Sequence, residues 1–206
     1  MAWEDACRKI PLDRQKEILE ELGFQVPDAV VEQLEQWMEN EIYRSCVEET
    51  PFCGLLRGLS FRDGEGKNQE SVGNVPQVYW FDVEAADIVG DYENILRGME
   101  SMAGGDLVFD QIQIDYSQVD WEEGRGEMTL TFTCNGRPCE ILLKVLDDWL
   151  DVSMLDKLNA IIEALPGYTG RKIFGCSDMG QEVFLFYQDA SWAQEFEEKT
   201  GIQLGP

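Results

Sequence analysis

The sequence contains no histidine. Without imidazole there is no Ser-His-Asp or Cys-His nucleophile, no histidine zinc ligand and no histidine base titrating near neutrality. Positive charge is scarce as well: 16 Lys and Arg stand against 41 Asp and Glu, a formal net charge of −25. Such a chain repels nucleic-acid phosphates and anionic lipid surfaces, which are normally gripped by clustered Lys and Arg. DNA, RNA and membrane are therefore poor partners. Long apolar runs are absent, the longest being short stretches such as Val183–Tyr187, whereas a membrane helix needs about 20 residues. The opening MAWEDACRKIPLDRQ has no apolar core behind a basic region, so no secretory signal is read there and the expected location is the cytoplasm. Cysteines stand at 7, 46, 53, 134, 139 and 176 without a C-x-x-C pair. In that setting they are expected to be buried thiols rather than disulfides or zinc ligands.

What is present is the material of a packed core. Hydrophobic residues make up 44% and aromatics 11% of 206 residues, so the negative charge does not imply disorder. A chain of this length buries roughly 70% of its unfolded surface and needs no staple. Residues 1–206 are expected to form one domain.

Residues 1–50 read as a helical hairpin. Pro11 opens a segment with Ile18, Leu19 and Leu22 on one side and Gly23 as its stop. After Val26-Pro27-Asp28, the residues Val30, Leu34, Trp37, Met38 and Ile42 recur at helical spacing, predicting a second helix to about Glu48. Its opposite face carries Glu32, Glu35, Glu39 and Glu41, and its apolar stripe needs a partner surface. A short apolar stretch, Phe52–Phe61, follows Pro51. Residues 62–75 combine Gly, Asn, Ser and charge without apolar period, which marks a loop or linker.

Residues 76–206 read as an α+β core. Val78–Val83 predicts a strand, Ala86–Met102 a helix ending at Gly104-Gly105, and Leu107–Tyr116 a strand with Ile112, Ile114 and Tyr116 on its buried face. Met128, Leu130, Phe132 and Cys134 alternate with threonines, and Asn135-Gly136 then predicts a tight hairpin into Cys139–Leu146. With a two-residue turn, Cys139 falls opposite Phe132, not Cys134. A helix over Asp151–Leu165, a second hairpin of Lys172–Cys176 and Glu182–Gln188, and a last helix from Asp189 to Lys199 complete the order. The run VFLFY is apolar on both faces, as in a central, doubly covered strand. Hairpins dominate, so the expected fold is a largely antiparallel sheet of about five to six strands covered by helices.

Motifs for small-molecule chemistry are incomplete. Gly66-Lys67 lacks the upstream Gly and downstream Ser or Thr of a phosphate loop. Asp63-Gly64-Glu65-Gly66 lacks the ligand spacing of a calcium loop. Two carboxylate groupings carry an alternative reading. Asp82 and Glu84 end a strand two residues apart, and Asp147, Asp148 and Asp151 surround Trp149 at a strand-to-helix junction. Paired carboxylates serve magnesium-dependent hydrolysis or glycoside cleavage, while acids at a helix start also cap it.

The charge is uneven. Residues 76–124 hold twelve acids and one base, Arg97, a balance of −11. Asp115, Asp120, Trp121, Glu122 and Glu123 form its centre, an aromatic among acids that suits a basic protein partner. A small, acidic α+β chain without catalytic apparatus resembles, in type, bacterial inhibitor and immunity proteins that neutralise a basic toxin. The resulting expectation is a non-enzymatic protein-binding domain with no cofactor and no metal. A carboxylate hydrolase and a scaffold or regulatory subunit meeting another chain through residues 11–48 are the alternatives.

Overall fold

In a computed structural model, residues 10–60, 77–85, 87–177 and 180–205 are described. The first helix, α1 (Leu12–Glu21), follows Pro11 and buries Ile18 and Leu19. The chain reverses at Gly23, whose φ of +90° is left-handed, and α2 (Asp28–Met38) starts after Pro27. Apolar spacing predicts that this helix continues to about Glu48. Instead it ends at Met38, and α3 (Glu41–Glu49) begins after a two-residue break. Asn40 Oδ1 accepts from the Ile42 N–H at 3.0 Å and Arg44 Nε donates to the Met38 carbonyl at 2.9 Å. Side chains thus satisfy backbone groups on both sides of the break, which hydrophobic periodicity cannot register. The short apolar stretch after Pro51 forms a fourth helix, α4 (Cys53–Leu59), which buries Leu55 and Leu56. Among the described residues up to 50, three helices therefore stand where a hairpin of two was expected, and α4 follows them. The predicted loop at 62–75 lies outside the described residues, as do the Gly66-Lys67 and Asp63–Gly66 motifs.

Beyond it come β1 (Tyr79–Asp82), α5 (Ile88–Ala103), β2 (Phe109–Asp120), β3 (Arg125–Cys134), β4 (Arg137–Leu146), α6 (Met154–Glu163), β5 (Arg171–Ser177), β6 (Glu182–Asp189) and α7 (Ala190–Thr200). Local chemistry accounts for several boundaries. Asp87 caps α5 by accepting from the Gly90 N–H at 3.2 Å, and Asp189 caps α7 through the Trp192 N–H at 2.9 Å. Asn135 and Gly136 both have positive φ, 50° and 77°, as a type I′ turn between β3 and β4 requires. The register sets Phe132 opposite Cys139, and Cys134 and Cys139 are free thiols.

Among the described residues six strands form two three-stranded antiparallel sheets, ordered β1-β6-β5 and β2-β3-β4, and the protein is α+β. Strand β6 is central in its sheet and covered on both sides. Phe184 and Phe186 pack with Leu19, Leu34, Leu55 and Phe196 of the helices α1, α2, α4 and α7. Leu185 and Tyr187 face the other way, into a core shared with α5, α6 and the second sheet. Helix α5 contacts β1 and β6 on one side and β2 on the other, while α6 bridges β5 and β4. The second sheet contributes Met128, Leu130, Ile141 and Leu143 to this core. Its other face, with Glu127, Leu142 and Lys144, is open to solvent.

The edges of the two sheets are treated differently. Lys157 donates to the Leu142 carbonyl and Asp151 accepts from the Lys144 N–H along the edge of β4. Gly205 pairs with Gly175 along β5. On β2, the Phe109 carbonyl and N–H meet Arg97 and Glu100 of α5.

Candidate functional site

That hairpin gathers the acidic residues singled out in the sequence. Strand β2 is twice interrupted in register against β3, once between Asp110 and Gln113 and again between Asp115 and Gln118. At the second bulge Asp115 Oδ1 accepts from the Ser117 N–H at 2.9 Å, and hydrogen bonds from the Ser117 backbone and hydroxyl hold its carboxyl below the usual range. The bulge also shifts the phase of the side chains. Alternation placed Tyr116 with Ile112 and Ile114 on the buried face, but Tyr116 is 49% exposed, whereas Val119 beyond the bulge packs against the core.

The turned-out Tyr116 meets Trp121. Their ring centroids lie 6.2 Å apart at an interplanar angle of 61°, an edge-to-face arrangement. Trp121 remains 51% exposed. The turn that carries it is built by Asp120, whose Oδ1 accepts from the Glu122 and Glu123 N–H groups at 3.2 and 3.1 Å. Gly126 locks the base of the hairpin. Its φ is +136°, and a Cβ there would come within 2.4 Å of the Gln118 carbonyl oxygen on the facing strand. Asp115, Asp120, Trp121, Glu122 and Glu123 are all exposed; the last four make the turn end of the hairpin, while Asp115 lies within β2 opposite Thr129. Arg125 stands 3.8 Å from Glu123.

The structure also places the other carboxylate groupings next to this turn. The Asp147 N–H donates to the Gly124 carbonyl at 2.8 Å, Trp149 bridges to Glu84, and the Ala85 N–H donates to the Asp148 carbonyl at 2.7 Å. Glu122–Gly124, Asp147–Trp149 and Glu84 thus follow one another through backbone contacts. Glu84, Asp147 and Asp148 are exposed, and Trp149 is 43% exposed. Asp82 is half-buried and accepts from the Glu84 N–H at 2.9 Å. Glu84 in turn accepts from the Gln181 amide.

Asp151 differs from the rest. It is buried, and both of its oxygens are engaged: Oδ2 accepts from the Lys144 N–H at 2.9 Å, and Oδ1 accepts from the Ser153 N–H and hydroxyl at 3.1 and 2.6 Å. Its own N–H donates to the Tyr92 hydroxyl at 2.7 Å. Burial pushes its carboxyl up, but the Ser153 and Lys144 bonds with Lys157 nearby outweigh it, and the net displacement is downward. The Tyr92 hydroxyl, deprived of water, is pushed up to about 12. Asp151 ties the start of α6 to the edge of β4, and its buried carboxylate is taken up by these bonds. Among the described residues no group of three or more acids or cysteines is arranged to hold a metal ion.

Sequence patterning alone assigned the wrong face to Tyr116 and did not join Trp149 and Glu84 to the hairpin end. The available signal for the first was the Asp115-x-Ser117 pair, an aspartate two residues before a hydroxyl residue inside a strand, which favours a local side-chain bond over regular pairing.

Fold and site together define an α+β protein with a solvent-facing, acidic, aromatic-bearing hairpin end. No helix among the described residues is long and apolar enough to cross a membrane. Compared with protein-family models, curated proteins and solved structures, the chain gives no match.

Proposed function

We propose that this chain is a protein-binding domain that receives a basic partner on the hairpin end of β2 and β3. The observation that carries this reading is the exposed Trp121, packed edge-to-face on Tyr116 in a turn whose other residues are Asp120, Glu122 and Glu123, with Asp115 further back on β2. A rigid aromatic anchor among carboxylates suits an arginine, which can stack on the ring and hydrogen-bond the acids at once. The wider field of a −25 chain speeds the encounter with a cationic surface. An inhibitor or immunity-type role, neutralising a basic protein in the cytoplasm, is the specific form proposed. Free thiols at Cys134 and Cys139 fit a reducing compartment. The carboxylate-hydrolase reading has less support, because Asp151 is committed to the fold, Asp82 bonds the Glu84 N–H, and Glu84, Asp147 and Asp148 are joined through their backbones on an exposed surface.

The test is retention from cell extract on the immobilised protein at low salt, then at about 0.5 M salt, where the Debye length is only a few ångströms. A basic protein should be held at low salt, released at high salt, and lost from Trp121→Ala and from the triple variant Asp120→Asn, Glu122→Gln, Glu123→Gln. Retention that ignores salt, or that is unchanged in Trp121→Ala, overturns the proposal.

A further inference from the structure

Strand edges invite pairing, and proteins cover or shorten them. Here the edge of β4 is met by Lys157 and Asp151, that of β5 by Gly205, and β1 is only four residues long. Strand β2 is treated otherwise. It is twelve residues long and stands at the end of its sheet. Beyond Phe109, which Arg97 and Glu100 hold, no element but β3 hydrogen-bonds its backbone among the described residues. From Asp110 to Asp120 the side chains are exposed except for Ile112, Ile114 and Val119, which are half-buried against the core.

Register gives this open edge a charge pattern. Aspartates stand at 110, 115 and 120, five residues apart, and regular alternation would send them to opposite faces. Each of the two bulges adds one residue, so Asp110, Asp115 and Asp120 fall opposite Thr133, Thr129 and Arg125, which are four residues apart on β3. All three therefore lie on the solvent-open face, about 14 Å from one to the next. Gln113 and Gln118 stand between them, opposite Thr131 and Glu127. The neighbouring bases are engaged elsewhere: Arg97 pairs with Glu93 and Glu100, and Arg125 lies 3.8 Å from Glu123.

The edge and its charges select one occupant. A second copy pairing here would lay its own aspartates beside these and be repelled. A strand with Lys or Arg at every fourth residue would set a base beside each aspartate, and apolar residues on its other face would cover Ile112, Ile114 and Val119. We propose that β2 receives an extended basic strand of a protein partner, which joins the sheet through backbone hydrogen bonds. The proposal rests on the hairpin reading for the basic character of the partner and adds how that partner is held, along β2 toward Trp121.

Three synthetic peptides of about ten residues, long enough to span β2, test this on the full chain. The first carries Lys at every fourth position, Thr midway between the lysines and Val at the alternate positions. The second is its shuffled form, and the third repeats the first on an N-methylated backbone that cannot pair. By fluorescence anisotropy at about 0.15 M salt, the first should bind about tenfold more tightly than either control, the effect of one or two backbone hydrogen bonds. It should also slow amide exchange within residues 110–120. Asp110→Asn, at the end of β2 remote from the turn, should weaken binding about twofold to fourfold at an unchanged melting temperature. Glu32→Gln, which removes the same charge from α2, should not. Equal binding of the N-methylated peptide, or unchanged exchange along β2, overturns the proposal. Equal losses in Asp110→Asn and Glu32→Gln overturn it as well, by assigning the binding to bulk charge. Failure of the hairpin reading shows separately, as extract retention indifferent to Trp121→Ala.

Discussion

Asp151 shows how one side chain is assigned by its neighbours. In the sequence it belongs with Asp147 and Asp148 as a candidate acid; in the structure it accepts three hydrogen bonds that join β4 to α6. Asn159 does comparable work across the same helix, exchanging two 2.8 Å bonds with the Ile173 backbone of β5. For Asp151 the consequence is a pH dependence. Its folded carboxyl titrates below its ordinary value, about 3.9 when unperturbed. The stabilisation it provides is therefore complete above about pH 4 and lost as pH falls through the folded value. Asp151→Asn leaves an amide facing the Lys144 N–H, donor against donor, and should cost about 2 kcal/mol at neutral pH. Urea denaturation of both proteins at about pH 7 and pH 2.5 measures it, with the gap shrinking at the lower pH. An equal gap at both would show that the carboxylate charge is not its source. Residue types and spacing suggested Asp151 as a helix cap; instead it bonds the N–H and hydroxyl of Ser153 ahead of α6, whose first turn has no side-chain cap bond. The Lys144 and Tyr92 partners lie across the fold and have no local sequence signature.

At the level of elements, periodicity predicted the existence of most helices and strands and the register of the β3–β4 hairpin. It failed where side chains replace backbone partners. The Asn40 break and the Asp115–Ser117 bulge both arise from short polar side chains bonding the main chain, and each turned predicted stripe residues, Ile42 and Tyr116, out to solvent. The second of these failures falls at the hairpin proposed above to receive a partner, and departures from regular pairing are often found at functional sites. The β2–β3 hairpin supplies a further prediction. Gly126→Ala forces a side chain against the Gln118 and Val119 backbone at a φ of +136° and should destabilise the protein by about 2–3 kcal/mol. The distortion also displaces the turn holding Trp121, so basic-partner retention should fall with it. A variant that melts like the parent would mean the hairpin base relaxes without strain.

At the level of the whole molecule, −25 is a sum of like charges held on one surface. Ion pairs such as Lys199–Glu21 at 2.9 Å and Lys16–Asp28 at 2.5 Å are exposed, and pairs of this kind contribute about 0–1 kcal/mol each. Self-repulsion therefore outweighs them at low ionic strength. Raising salt from about 10 mM to about 0.3 M shortens the Debye length severalfold and should raise the melting temperature by about 3–6 °C, equivalent to about 1–2 kcal/mol. Calorimetry at the two salt concentrations decides it; a falling melting temperature would put the ion pairs ahead of the repulsion. Composition and patterning by themselves determined the charge, the exclusion of histidine chemistry, the α+β class and the doubly covered VFLFY strand, because each follows from residue identity or from spacings of two to four. Only the tertiary structure decided that the strands divide into two sheets, that Asp151 points inward, and that Glu84 and Trp149 lie beside the Trp121 turn. Those outcomes depend on contacts between residues far apart in the chain, whose pairing no local pattern encodes.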